Sequence, residues 1–196
     1  MFGRSKSTRV ALESDRLILR PPNARDFTAW SALRRDSRAF LSPWEPTWSP
    51  DHLTLRAFRN RVVWADRMIR QGDALPLLMV LQDSDEIVGG ITLSNIRRTP
   101  AQSGTLGYWT GAQHARQGYM AEAISRLRTH AFAEMGLSRL EAACLPENAP
   151  SRKLLEKCLF KYEGVAQAYL QINGRWRNHV LYASLREDRR GRTEDI

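Results

Sequence analysis

Residues 107–123 read GYWTGAQHARQGYMAEA, and this stretch decides the fold. Its aromatic, strand-like start gives way to small residues at Thr110 to Ala112, and a short basic loop carries Arg116 and Gln117. Gly118 follows, and then Met120, Ala123, Ile124, Leu127, Ala131 and Met135 recur at the spacing of one helix face. A strand feeding a glycine-containing loop into a helix gathers several unpaired N–H groups at one spot. The helix dipole makes such a spot favour anions, phosphates above all. A lone glycine before a helix is equally the mark of a plain turn, so the rest of the chain has to decide.

Working outward, RLILRP at residues 16–21 alternates arginine with apolar residues and reads as an opening strand. Asn23 is placed to cap a helix that buries Phe27, Trp30 and Leu33 and gives out near Ser37. In FLSPWEP, residues 40–46, two prolines predict a stiff, extended loop around Trp44 and Glu45. Ser49-Pro50 predicts the cap and first position of a long helix whose stripe is Leu55, Phe58, Val62, Ala65 and Ile69, ending at Gly72. Strands are expected over 75–82, 86–95 and 103–111, and a short one over 138–145 after the motif helix stops at Gly136. Asn148 and Pro150 open another helix, with Leu154, Leu155 and Cys158 facing inward. Asn173-Gly174 joins the last two strands as a type I′ hairpin.

The chain of 196 residues suits one domain over 12–186, with flexible tails expected at 1–11 and 187–196. Hydrophobic residues at 42% and charged ones at 26% fit a globular protein, and no apolar run is long enough to span a membrane. The first residues lack the apolar centre of a secretory signal. Cys144 and Cys158 lack metal-ligand spacing and read as buried free thiols, so the cytoplasm is the expected compartment and no metal is expected. The formal net charge of +9, carried mostly by arginine, suits phosphate contacts such as CoA or RNA, or is simply a solvated face.

Segment 115–120, ARQGYM, resembles the acetyl-CoA loop Q/R-x-x-G-x-G/A of the GNAT N-acetyltransferases. Ala115 and Met120 depart from that pattern, but GYM followed by Glu122-Ala123 is the form of the family's RimJ/RimL branch. NAPSRKLLEKCLF resembles the second signature through Asn148, Ser151, Leu155, Lys157 and Phe160, with Leu159 in place of the usual glycine. The proline loop and the final hairpin, with Trp176, Arg177, His179 and Val180, resemble the same branch. Asn178 and Ala168 stand there where acidic residues are usual. The resemblance covers about 14–186.

It implies a mixed α/β fold, a twisted six- to seven-stranded sheet flanked by about four helices and splayed where two substrates meet. It implies acetyl-CoA as cosubstrate. Arg116, Gln117, Gly118, Tyr119, Met120 and Ala121 would hold its pyrophosphate, Tyr108, Trp109 and Thr110 would lie along the pantetheine, and Asn148 and Ser151 would contact that arm. Candidate bases are Glu141 and Glu45. Tyr169 and His179 could protonate the thiolate or line the acceptor slot. The implied acceptor is the N-terminal alanine of a small-subunit ribosomal protein, with transient contact to the ribosome and its RNA. A small amine (polyamine, antibiotic or amino acid) and a non-catalytic CoA- or ribosome-binding protein remain open, as does the choice of monomer or homodimer. An α-amine has a pKa of about 7.7–8.0, whereas a lysine near 10.4 costs about 4 kcal/mol to deprotonate at pH 7.4. A site without an obvious strong base therefore suits an α-amine.

Overall fold

A computed structural model describes residues 10–187. The tails expected at 1–11 and 187–196 lie outside the described residues, except Val10, Ala11 and Glu187. In chain order the elements are β1 (Leu12–Glu13), β2 (Leu17–Arg20), α1 (Phe27–Asp36), α2 (Arg38–Leu41), α3 (Leu55–Gln71), β3 (Leu75–Leu81), β4 (Ile87–Arg97) and β5 (Ser103–Thr110). They continue with α4 (Tyr119–Ala133), β6 (Arg139–Cys144), α5 (Ala149–Lys157), β7 (Lys161–Ile172) and β8 (Arg175–Leu185). The strands form one eight-stranded sheet in the order β1-β2-β3-β4-β5-β6-β8-β7. That is one strand more than expected, since β1 is too short to leave a period in the sequence.

Every ladder is antiparallel except β5–β6, which is parallel and bridged by α4. Pairing of β5 with β6 ends at Leu106 and Ala142. Beyond that point β5 stays with β4 as far as Thr110, while β6 follows β8 to Cys144. The sheet is therefore splayed from Gly107 onward.

The two sheet faces are filled differently. On one, α4 and α5 bury Met120, Ala123, Ile124, Leu127 and Leu155 against Leu77, Met79, Ile91, Leu93 and Leu106. On the other, Trp30, Leu33 and Phe58 of α1 and α3 cover Leu78, Val80 and Ile87. Polar or small residues on that second face (Thr92, Thr105, Gly107) line cavities instead.

Local signals explain most boundaries. Gly72 closes α3 in the left-handed region at φ 75°. Asn173 and Gly174, at φ 46° and 76°, make the expected hairpin turn. The α5 C-terminus closes as a Schellman motif, with Leu159 N–H donating to Glu156 O and Phe160 N–H to Leu155 O. Leu159 sits at φ 66° there, so it keeps the turn for which a glycine is usual.

Three expectations need correction. Ser49-Pro50 does not open α3: the Ser49 hydroxyl donates to Asp51, residues 50–54 form turns, and Thr54 accepts from Ala57 N–H as the true cap. The loop predicted from residue 40 is helical through Leu41, because Pro43 restricts only the residues next to it. Asn23 caps a single 3-10 turn that runs on into α1.

Candidate active site

Two features meet at the splay, one on each sheet face. The first is the N-terminus of α4. Its capping residue Gly118, at φ 86°, supplies no side chain to the free N–H groups of the first turn. Arg116 before it is also left-handed, at φ 64°. Residues 116–121 thus form an uncapped N–H cradle of the kind that takes phosphate. Met120 enters it only through its backbone, since its side chain is buried in the core.

Strand β5 leads to that cradle. Gly111 N–H donates to Val88 O. Alternation along an antiparallel pair then turns the N–H groups of Thr110 and Tyr108 away from β4, toward the side that β6 has left. The Tyr108 hydroxyl meets Ser151 Oγ at 2.8 Å across the gap, and Asn148 Oδ1 accepts from Ser151 N–H at 3.1 Å. Tyr108, Asn148 and Ser151 are thereby brought together. Asn148 acts as a helix cap, while its amide still carries two N–H donors. Burial pushes the Tyr108 phenol well above its ordinary pKa, although the Ser151 hydrogen bond opposes this, so it is a neutral hydroxyl at any working pH.

The second feature is a cavity of about 530 Å³ on the opposite face, lined by residues including Trp30, Arg34, Glu45, Trp48, His52, Gly107 and Trp109. Its wall is an arginine clamp. The buried Arg34 forks onto Glu45 at 2.8 and 2.6 Å, and its guanidinium lies 4.4 Å from the Trp48 ring centre and 4.7 Å from that of Trp109. Trp48 Nε1 donates to the same carboxylate at 2.7 Å. His52 stacks on Trp48 at 4.6 Å. Burial, then Arg34 and Arg61, push its pKa down to about 4, so this imidazole is neutral near pH 7. A second cavity of about 640 Å³ touches Ser94, Arg97, Thr105, Glu141 and Tyr169, two residues further along β4 and β5.

Glu45 and Glu141 therefore line different cavities, and arginines hold both. Glu141 accepts from Arg97 Nη2 at 3.2 and 3.3 Å and from Arg139 Nε at 2.8 Å, and Arg139 continues to Glu163. Tyr169 shares the cavity of Glu141. His179 does not: it is buried, with Nδ1 3.1 Å from Arg177 O and its ring 5.6 Å from that of Tyr169. Asn178 accepts from Ala168 N–H at 2.9 Å and holds the irregular bend in β7. Sequence reasoning missed Arg34, Trp48 and His52. The cysteines are buried free thiols, and the described residues hold no metal-ligand cluster. None of their helices is long and apolar enough to cross a membrane.

A splayed strand pair with an anion cradle on one side and an aromatic cavity on the other is the architecture of a two-substrate acyltransferase. Residues 16–161 match the Acetyltransferase (GNAT) domain, and the chain belongs to that family as an acyl-CoA-dependent N-acetyltransferase. It is 33% identical over 184 residues to the ribosomal protein uS5-alanine N-acetyltransferase of Escherichia coli K12, covering 93% of this chain and 95% of that one. A probable N-acetyltransferase of Bacillus subtilis, YjcK, is 28% identical over 90% of this chain and 98% of its own. Among solved structures, Mycobacterium smegmatis RimJ in complex with CoA-disulfide superposes with a TM-score of 0.86 at 29% identity, covering 94% of this chain and 91% of that one.

Proposed function

We propose that the protein transfers the acetyl group of acetyl-CoA to the α-amine of a protein N-terminus, alanine in a ribosomal protein being the favoured acceptor. One observation carries this reading: β5 borders the N–H cradle on one side and, through Gly107 and Trp109, the aromatic cavity on the other. A relative that acts on the alanine of ribosomal protein uS5, at 33% identity over nearly the whole chain, supports the acceptor. A ribosomal acceptor would place the enzyme in the cytoplasm.

In this reading residues 116–121 hold the pyrophosphate, and the N–H groups of Tyr108 and Thr110 border the pantetheine and the thioester oxygen. Asn148 contributes its free N–H donors to the same arm. The amine enters from the cavity over Gly107. At pH 7.4 about a quarter of an α-amine is already neutral. Its lone pair attacks the thioester carbonyl, and the oxyanion collapses with loss of the CoA thiolate. The amine proton passes to water in the open groove, because a proton on Glu45 or Glu141 would cost an arginine pair. The Tyr108–Ser151 hydroxyl pair would hydrogen-bond the departing thiolate, which takes its proton from water in the groove. Glu45, Glu141 and Tyr169 shape the acceptor groove, and His179 supports Tyr169 from behind.

The test is CoA thiol release from acetyl-CoA with two short peptides. One has a free N-terminal alanine and no lysine; the other is blocked at its N-terminus and carries one lysine. Release with the first alone is expected. Release with neither, despite measurable CoA binding, would turn the assignment to a small amine or to a non-catalytic CoA-binding protein.

A further inference from the structure

The cradle at α4 carries an acidic residue of its own. Glu122 lies in the first turn of the helix, where a carboxylate interacts well with the dipole but competes with any anion bound there. Arg16, just ahead of β2, takes up that carboxylate. Its backbone N–H donates to Glu122 Oε1 at 2.7 Å and its Nε to Oε2 at 2.8 Å, while Ser14 Oγ donates to Oε1 at 2.9 Å.

The same guanidinium reaches the loop itself. Arg16 Nη1 donates to Gln117 O at 3.1 Å, and the guanidinium carbon lies 4.5 Å from the Tyr119 ring centre. Its Nη2 lies 3.3 Å from where a Cβ on Gly118 would sit. Burial pushes the Glu122 carboxyl up, but the hydrogen bonds from Arg16 and Ser14 outweigh it, and the group lies below the usual carboxylate range.

We propose that Arg16 is the positioning residue of the phosphate-binding loop. It locks residues 117–119 in shape and offsets the Glu122 charge, so that a pyrophosphate meets a bare helix N-terminus. The inference rests on the reading of that loop as the CoA cradle. Both parts of the role come from one side chain about a hundred positions away, supplied by the start of the opening strand.

The experiment is calorimetric binding of CoA to the full-length protein and its variants, with the melting temperature of each unliganded protein. Arg16→Gln exposes the carboxylate and is expected to weaken CoA about tenfold or more, with acceptor KM unchanged. Glu122→Gln removes the repulsion with the support and shifts affinity by less than about threefold. The double variant, neutral again, should bind CoA better than Arg16→Gln alone, a recovery that a purely structural role would not give. Arg16→Lys keeps the charge without the fork and gives intermediate affinity, which keeps the test open where Arg16→Gln folds poorly. CoA affinity within about twofold of wild type for Arg16→Gln, or no recovery in the double variant, would overturn the proposal. A wild-type protein that binds no CoA would instead sink the cradle reading beneath it.

Discussion

Arg34 holds both oxygens of Glu45, at 2.8 and 2.6 Å, while its guanidinium sits between the rings of Trp48 and Trp109. This pair fastens the proline loop to α1 and to β5, the strand that borders both the N–H cradle and the aromatic cavity. Glu45 lines the aromatic cavity with its charge already matched. It is a wall before it is a base.

Glu45→Gln keeps the shape of that wall and loses the matched charge. With Arg34 buried and Glu45 mostly so, leaving the guanidinium unpaired should cost about 2–3 kcal/mol of stability. Acceptor KM is expected to rise about tenfold, with CoA affinity and the shape of the pH–rate profile unchanged. A general base would behave otherwise, with kcat down about 10²–10⁴-fold and its pH limb gone. Steady-state kinetics across pH separate the two.

His52 makes stability depend on mild acid. Burial and the neighbouring Arg34 and Arg61 hold its pKa at about 4 in the folded chain, against about 6.5 when unfolded. Between these values the unfolded state binds the extra proton, so stability falls as pH drops from about 6.5 to about 4, with no contribution above neutrality. The full shift would be worth about 3 kcal/mol, but the ring is half exposed and screened, so about 1 kcal/mol is expected. Urea unfolding of wild type and His52→Gln at several pH values tests this. Equal pH slopes in the two proteins would exclude His52 as the cause.

What the sequence revealed and what it concealed divide by range. Gly72, Gly118, Asn148 and Asn173-Gly174 act within a few residues of themselves, and each does what its local chemistry predicts. Ser49-Pro50 satisfied the helix-start pattern, yet Thr54 offered a second cap at the point where the apolar stripe begins. The arginine clamp left no local trace. Arg34 follows the buried Leu33 and reads as a solvent residue, and only the fold brings Glu45, Trp48 and Trp109 to it. The same holds for Arg97 and Arg139 around Glu141. Both candidate bases were visible as residue types, and their neutralising partners were not.

Leu159 offers an opposite kind of change. A left-handed leucine costs about 1–2 kcal/mol, and this side chain is 59% exposed, so little burial compensates. Glycine there relieves the strain but adds about 0.5–1 kcal/mol of unfolded-state entropy. Leu159→Gly is expected to stabilise the protein by about 0.5–1 kcal/mol, raising Tm by about 1–4 °C. Calorimetry decides it. A lower Tm would mean that the leucine makes contacts outweighing its backbone strain.

Gly107 tests where the acceptor amine enters. It is the first residue of β5 past the last pair with β6, it lines the aromatic cavity, and a Cβ built on it meets nothing within 4 Å. A side chain there is sterically free in the unliganded protein, and strands favour β-branched residues over glycine. Gly107→Val should therefore hold or raise Tm while filling the approach to the thioester. Because a small misplacement of reacting groups costs about 10²-fold, kcat/KM for the alanine peptide should fall by roughly that factor while CoA binds as before. Measuring Tm, CoA affinity and kcat/KM on one preparation separates blockage from damage. Unchanged kcat/KM in a stable, CoA-binding Gly107→Val variant would move the amine's entrance away from this cavity.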